Sequence, residues 1–495
     1  MAQLLPKHLL RLQRWLLGVG KAGIWLAILP FFGLCWYAHP SADDFLQATA
    51  VRKYGHLGYL RYMYGWWSGR YTAVVGWSYF NPVSYGRLGL EYKLVCGLML
   101  ALLLVSLVVM LRGLLQGAGF AARQCWQMGA GAFLLLVYYL PSTAEGFYWL
   151  TSTFNYLLPM LLLFLAVGAL AAMTHATTAA RLYYHGLVAG LLFLTVGCNE
   201  TVAVPVLFTV WAVAGVVSWE QKRLVGFPVA LVVSAGCALA FLAPGNTMRL
   251  HGAPIGQPGL VASVQATFLF AGYCVLNWLG NGVVVVVTLL LVPAFARLAR
   301  LPQLPLNRLT RHPWLLTLLV PAFLVAGLFP SFWVRTAPAP LRALNELYMC
   351  FLLCWMLAVY AWVAFAVGRA GGPVSLRLPG FARWALLAWL PFTFLTDYDN
   401  HLRSGGHRLS TNNSLLAYRD LLHGTAARYD AQLTARYQYL RNSPTLHPQV
   451  RALPEPCITL LYGDISPDSA NWGNRAYADF FRKKTIVTRP VLLAR

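Results

Sequence analysis

Acidic residues are scarce in this sequence of 495 residues. It contains 15 Asp and Glu against 38 Lys and Arg, and charged residues make up only 11% of the chain. Hydrophobic residues account for 59%. So few charges and so much apolar sequence exclude an ordinary soluble domain and a disordered chain, and they predict a membrane protein with many spans.

The nine cysteines show neither CxxC nor Cys/His metal spacing. The sequence therefore contains no sign of a zinc site or a disulfide framework. The formal net charge of +23 is typical of some nucleic-acid-binding proteins. Here, however, Lys and Arg lie mostly between apolar runs, where they fix topology and contact anionic headgroups. We therefore expect membrane lipids as partners and no nucleic acid.

Apolar runs alternate with short polar loops along residues 1–396. Basic residues precede the first run, so we place the N-terminus in the cytoplasm and predict a retained signal-anchor. Loop charges then predict about eleven transmembrane helices. Another span at 261–278 would break the alternation, so we predict an external or re-entrant helix there. The predicted spans cover residues 22–38, 92–111, a third run ending at 141, 157–173, 186–198, 201–219, 224–243, 282–295, 313–333, 347–367 and 384–396.

Residues 39–93 are too polar to span and too aromatic for a free loop. Their pattern predicts a long first external loop of amphipathic helices lying on the membrane, with Trp66, Trp67 and Trp77 at headgroup depth.

The composition turns polar after residue 396. Residues 397–495 predict a small α/β cap outside the membrane, with helices within 412–442 and strands at 457–462 and 485–487. The sequence thus predicts an all-α polytopic membrane domain, 1–396, followed by this extracytoplasmic cap.

Only seven acidic residues lie before residue 397, and under this topology all but Glu220 fall at the outer ends of spans. Asp43 and Asp44 are notable because two adjacent carboxylates beside hydrocarbon repel each other and need water, a cation or a metal. Arginines on the outer side run against the positive-inside bias and predict contacts with an anion such as phosphate. The seven acids are Asp43, Asp44, Glu91, Glu145, Glu200, Glu220 and Glu346.

Aromatic and amide side chains accompany the acids in the external loop 142–156. Trp149, Asn155 and Tyr156 suit a sugar ring, although an aromatic belt at the interface is the alternative for the tryptophan. A carboxylate can take the proton of an acceptor hydroxyl as a sugar carbon is attacked, while cations hold the departing phosphate. Asp43 and Asp44 could divide this work, or hold a divalent cation such as Mg²⁺ or Mn²⁺ with further ligands.

These features resemble the GT-C superfamily of polyprenyl-phosphate-sugar-dependent glycosyltransferases. The resemblance lies in the Asp pair after the first span, the long first external loop and the external C-terminal cap, and it extends over most of the membrane part. Individual motifs are similar to those of an uncharacterised bacterial branch described as glucosyltransferase-like. They are SADDF at 41–45, WSGRY at 67–71, Glu145 with WLT at 149–151 and NY at 155–156, NE at 199–200, and PGN at 244–246 with Arg249.

The resemblance implies an inverting glycosyltransferase in the bacterial inner membrane, with Asp43 or Asp44 as base and Arg70, Arg249 or Arg342 on the carrier phosphate. The donor would be a polyprenyl-phosphate-linked sugar, and the acceptor a hydroxyl of a glycan, lipid or protein. Two alternatives stay open: a transporter or flippase of lipid-linked glycans, and a non-catalytic scaffold for envelope assembly. The candidates for sugar or acceptor binding are Glu145, Trp149, Asn155, Tyr156, Asn199, Glu200, Asn246 and Glu346.

Overall fold

The computed structural model describes residues 7–222, 224, 226–251, 259–335, 337–369, 378–396, 412–453 and 457–489. Within these residues nearly all regular structure is helical. The helices before the C-terminal region are α1 Lys7–Leu34, α2 Asp43–Trp66, α3 Tyr71–Val75, α4 Leu90–Leu114, α5 Ala122–Val137, α6 Leu150–Ser152, α7 Leu158–Met173, α8 Thr178–Val196, α9 Glu200–Gln221, α10 Phe227–Phe241, α11 Pro244–His251, α12 Leu260–Leu279, α13 Gly282–Leu298, α14 Pro305–Leu309, α15 Pro313–Arg335, α16 Leu341–Arg369 and α17 Gly380–Thr396.

Eight helical segments of the described chain are long and apolar enough to cross a membrane. A continuous helix pairs all its inner backbone groups with one another, which hydrocarbon requires. The helix α4 also has a row of exposed leucines one turn apart, which we call the α4 stripe: Leu90, Leu94, Leu98 and Leu102. The eight segments are Gly18–Tyr37, Leu90–Leu114, Leu150–Met173, Thr178–Val196, Glu200–Gln221, Leu260–Leu279, Pro313–Val334 and Leu341–Arg369.

Each predicted span corresponds to a helix, and the prediction of an all-α membrane protein is confirmed. The count of about eleven crossings stays a prediction. Four helices that correspond to predicted spans are not among the eight segments: α5, α10, α13 and α17, with 16, 15, 17 and 17 residues.

The helix α12 occupies the segment for which we predicted an external or re-entrant helix. The Ser263 hydroxyl near its start lies 3.5 Å from the carbonyl oxygen of Phe332, close to the end of α15. Trp278 near its end packs on Tyr348, in the first part of α16, with ring centroids 5.4 Å apart. The helix α12 therefore packs on both α15 and α16. Its depth in a bilayer stays a prediction.

The helix α2 forms most of the predicted first external loop. Gly55 interrupts it with φ of 68°, a conformation that glycine adopts without strain from a Cβ atom. Exposed Trp66 and Trp67 fit the predicted position on a membrane surface. The prediction for Trp77 is wrong. This side chain is buried, because the carbonyl oxygen of Thr151 accepts its indole N–H at 3.1 Å inside the fold.

The C-terminal region contains three helices and one pair of parallel strands among its described residues. The predicted strand at 457–462 is wrong: these residues form turns and irregular structure. Cys457 and Leu460 are buried, and a partly buried turn produces the same short apolar run as a buried strand. The predicted boundary at 396–397 adjoins residues outside the described ones. The elements are α18 Asn413–Leu422, α19 Thr425–Asn442, β1 Gln449–Arg451, α20 Trp472–Phe480 and β2 Val487–Arg489.

This C-terminal region packs directly on the start of α2. The carboxylate of Asp430 lies 2.8 Å from Nε2 of His39 and 2.5 Å from Nζ of Lys93, so α19 contacts both ends of the first external loop. Phe45 is fully buried in an aromatic cluster, and the other members of the cluster are Tyr437, Tyr477, Phe480 and Phe481. These contacts hold the first turn of α2 in a fixed position.

Candidate functional site

Asp44, in the first turn of α2, is completely buried. Its carboxylate accepts five hydrogen bonds, which come from four segments of the chain. Burial raises the pKa of Asp44 above its usual value, and these hydrogen bonds offset only part of that rise. Five donors fit the ionised form of the side chain. The donors are Ser41 N at 3.1 Å, Asn81 Nδ2 at 2.9 Å, Tyr92 OH at 2.9 Å, Thr151 N at 2.9 Å and Thr151 Oγ1 at 2.6 Å.

Asp43 lies in a different environment, although it directly precedes Asp44. Its side chain is partly exposed, and among the described residues it has charged neighbours but no hydrogen-bond donor. Burial raises the pKa of Asp43 to about 6; Arg342 lowers it and Asp44 raises it. Ala42, just before, has φ of 35°, a strained conformation of a kind that clusters at functional sites. Asp43 can therefore gain and lose a proton near neutral pH.

A first ion-pair group lies beside Asp43, where Arg70 meets the first residue of α9. The Arg70 guanidinium donates from Nε at 3.0 Å and from Nη2 at 2.5 Å to Oε2 of Glu200. Arg249, on α11, donates to the other carboxylate oxygen of Glu200 at 3.4 Å. The two arginines thus share one carboxylate. All three side chains are 20 to 34% exposed.

A second ion pair joins α16 to the segment before α6. Arg342 donates to Oε2 of Glu145 at 3.2 Å, and its guanidinium lies over the rings of Trp149 and Tyr156, 5.3 and 6.0 Å from their centroids. Trp149 also stacks on the ring of Tyr462, with ring centroids 3.8 Å apart. Tyr462 brings the C-terminal region to the site.

Tyr156 links the two groups, because it interacts with both Arg70 and Arg342. Asp43 is also electrostatically coupled to both arginines. We call this assembly the polar cluster. It comprises Asp43, Arg70, Glu145, Trp149, Tyr156, Glu200, Arg249 and Arg342.

A buried layer of amides supports the polar cluster. The Asn155 side chain accepts from Arg70 at 3.4 Å and donates to the carbonyl oxygen of Thr151 at 2.7 Å. Asn199 caps α9 and donates to Oε1 of Glu346 at 3.0 Å. The other oxygen of Glu346 is buried without a partner among the described residues. Asn155 thus contacts Arg70 directly, and Asn199 connects Asn155 to Glu346.

Asn246 has a structural role. Its side chain accepts from the backbone N–H of Gly69 at 3.4 Å and donates to the carbonyl oxygen of Ala240 at 2.7 Å. At Gly245, an added Cβ would lie 2.6 Å from the backbone nitrogen of Ser68, so only glycine fits this close approach. These contacts hold α11 against the segment that carries Arg70. Residues 244–246 are the start of this short helix.

Every predicted site residue except Asn246 lies in the polar cluster, in its buried support, or at Asp44. Sequence reasoning missed the donors to Asp44 and the stacking of Tyr462 on Trp149. No spacing in the sequence connects these partners, which lie in separate segments. The missed residues are Asn81, Tyr92, Thr151 and Tyr462.

The Asp pair does not offer a ready metal site. Both oxygens of Asp44 already accept from protein donors, so a cation at Asp43 would need other ligands. Within the described part of the chain no three His, Cys, Asp or Glu side chains form a group that could hold a metal ion. A requirement for Mg²⁺ or Mn²⁺ stays a prediction.

Comparison with protein-family models, curated proteins and solved structures finds no match for this chain. The chain is an all-α, multi-pass membrane protein. Its distinguishing site is the polar cluster beside the first turn of α2.

Proposed function

We propose that this protein is a membrane glycosyltransferase that moves a sugar from a polyprenyl-phosphate carrier to a hydroxyl of a glycan, lipid or protein. The observation that carries the proposal is the carboxylate of Asp43, which has no described hydrogen-bond donor and lies near Arg70 and Arg342. A base, cations for a phosphate and aromatic faces for a sugar are the groups that such a transfer needs. The resemblance of the sequence motifs to GT-C enzymes supports the same function.

In the proposed reaction, the oxygen of the acceptor hydroxyl attacks the anomeric carbon of the donor sugar, and Asp43 takes the hydroxyl proton. The new carbon–oxygen bond forms on the face opposite the carrier phosphate. The bond from carbon to phosphate oxygen breaks, and its electron pair leaves with the phosphate. The configuration of the sugar is therefore inverted.

The arginines differ in how freely they could hold that phosphate. Arg70 already uses two nitrogen atoms on Glu200. Arg249 and Arg342 each make one hydrogen bond to a carboxylate among the described residues. Their remaining N–H groups make them the better candidates for the phosphate, with Arg70 orienting Glu200 and Asn155.

The proposed location is the outer face of the bacterial inner membrane, with the N-terminus in the cytoplasm and the C-terminal region outside. The basic N-terminal segment and the basic loops between later spans support this orientation. The donor would then reach the polar cluster from the outer leaflet.

The test uses the full-length protein in vesicles that contain polyprenyl-phosphate glucose, mannose or arabinose, with a cell-envelope extract as acceptor. We expect protein-dependent release of polyprenyl phosphate from one of these donors. Movement of the donor between leaflets with its sugar–phosphate bond intact would instead support the transporter. If neither occurs with any donor, the scaffold is favoured.

A further inference from the structure

A second site lies between the first external loop and the C-terminal region, away from the polar cluster. It is an open cleft of about 470 Å³. Its walls are Arg52 of α2, the turn 84–86 before α4, and residues 441 and 480–482 of the C-terminal region. This volume falls in the usual range for small-ligand sites.

The cleft is strongly basic. Arg52, Arg441 and Arg482 line it, and no acidic side chain does so among the described residues. Burial lowers the pKa of Arg52, and the like charge of Arg482 lowers it further. Three positive groups gathered without a counter-ion repel one another, and a bound anion would relieve that repulsion.

Two of the three guanidinium groups are held in place by backbone carbonyls. Arg52 donates to the carbonyl oxygen of Phe480 at 3.1 Å and lies over that ring at 5.0 Å. Arg441 donates to the carbonyl oxygen of Gly86 at 3.1 Å. The side chain of Arg482 makes no hydrogen bond or ion pair with a described residue, and the residue has φ of 56°. All three keep N–H groups for a phosphate or carboxylate.

The position of the cleft favours a lipid as the source of that anion. The α4 stripe marks where lipid-facing sequence begins, and its first member, Leu90, comes four residues after Gly86. Four residues span at most about 14 Å. The headgroup layer extends roughly 5–8 Å beyond the hydrocarbon. Tyr85 in the cleft wall is 53% exposed and Phe80 nearby is 63% exposed, as expected of aromatic residues at an interface.

We propose that this cleft binds the phosphate of an anionic phospholipid headgroup. The bound headgroup would bridge α2 and the C-terminal region, whose Phe480 packs on Phe45 with ring centroids 5.0 Å apart. Anionic lipid would therefore strengthen the contact that fixes the first turn of α2. This proposal does not depend on the proposed transferase activity.

The experiment titrates the detergent-purified full-length protein with phosphatidylglycerol or phosphatidylcholine and counts retained lipid by native mass spectrometry. We expect the wild-type protein to retain phosphatidylglycerol preferentially. In the variant R52Q/R441Q/R482Q we expect binding to weaken roughly fivefold for each arginine removed. The matched control, R451Q/R475Q/R489Q, removes the same charge from exposed arginines of the C-terminal region that do not line the cleft.

Equal retention of both lipids by the wild-type protein would overturn the proposal without reference to any variant. An equal loss in the control variant would do so as well, because it would assign the effect to net charge. So would unchanged binding in the cleft variant. Displacement of phosphatidylglycerol by inorganic phosphate at similar concentration would show that the cleft takes free phosphate rather than a lipid headgroup.

Discussion

Two neighbouring carboxylates in the first turn of α2, Asp43 and Asp44, have opposite environments. On the buried side, Asp44 accepts five hydrogen bonds and joins segments that are far apart in sequence. On the side of the polar cluster, Asp43 has arginines nearby but no donor among the described residues. Hydrogen bonds from several donors stabilise the ionised form of a carboxylate, whereas burial without donors favours its protonation. We infer that Asp44 is structural, which leaves Asp43 as the candidate base of the proposed reaction.

The largest effect is expected from D43N, which removes the base and keeps the size of the side chain. We expect sugar transfer to fall by about 10²- to 10⁴-fold, the usual contribution of a general base. Binding of polyprenyl phosphate and the temperature of unfolding should change little, because no described hydrogen bond depends on Asp43. Sugar-transfer rates measure the loss of activity, and thermal unfolding measures stability, both in lipid nanodiscs. Full activity of D43N would remove Asp43 from the mechanism.

D44N should have the opposite profile. Asparagine places an N–H group where the carboxylate accepts from other donors, so buried groups lose their partners. We expect a loss of about 3 kcal/mol in the free energy of unfolding. Denaturant titration of D44N and D43N beside the wild type measures this difference. A D44N protein as stable as the wild type would contradict the structural role.

R342Q tests whether the polar cluster holds the carrier phosphate. R342Q removes a guanidinium group that can donate several hydrogen bonds to a phosphate. Its loss should weaken the binding of polyprenyl phosphate about tenfold or more. R87Q is the matched control, since Arg87 is 62% exposed and pairs only with Glu91 among the described acids. Equal affinities of R342Q and the wild type for polyprenyl phosphate would exclude Arg342 from the carrier site.

The pH dependence of transfer should follow the protonation of Asp43. Burial raises the pKa of this carboxyl to about 6. A general base works in its deprotonated form, so the transfer rate should be constant above about pH 6. Below that pH the rate should decrease, approaching a tenfold loss for each pH unit. Initial rates between pH 5 and 8 measure this profile. A rate that is flat down to pH 5 would mean that another group accepts the proton.

Much of the polar cluster could be predicted from the sequence, because acids are costly in an apolar chain. Asp43, Glu145, Glu200 and Glu346 each come at a place where an apolar run meets a polar loop. Ionised groups at such places need partners, and alternating spans bring their ends to the same side of the membrane. In the structure, arginines predicted on the outer side pair with these acids, as Arg342 does with Glu145.

The different roles of Asp43 and Asp44 could not be predicted in this way. They depend on the backbone angle at Ala42 and on donors such as Asn81 and Thr151, which lie in other segments. The stacking of Tyr462 on Trp149 was equally hidden, since it depends on how the C-terminal region docks. Local sequence patterns carry information about helices and exposure, but not about which distant side chains meet.

The most direct test of this account is the titration of Asp43 itself, measured by infrared difference spectroscopy of the full-length protein without substrate. The account predicts a protonated-carboxyl band that grows as pH falls through about 6, present in the wild type and absent in D43N. A band of equal size in D43N, or no band down to pH 5 in the wild type, would contradict the assignment of Asp43 as the free and reactive carboxylate.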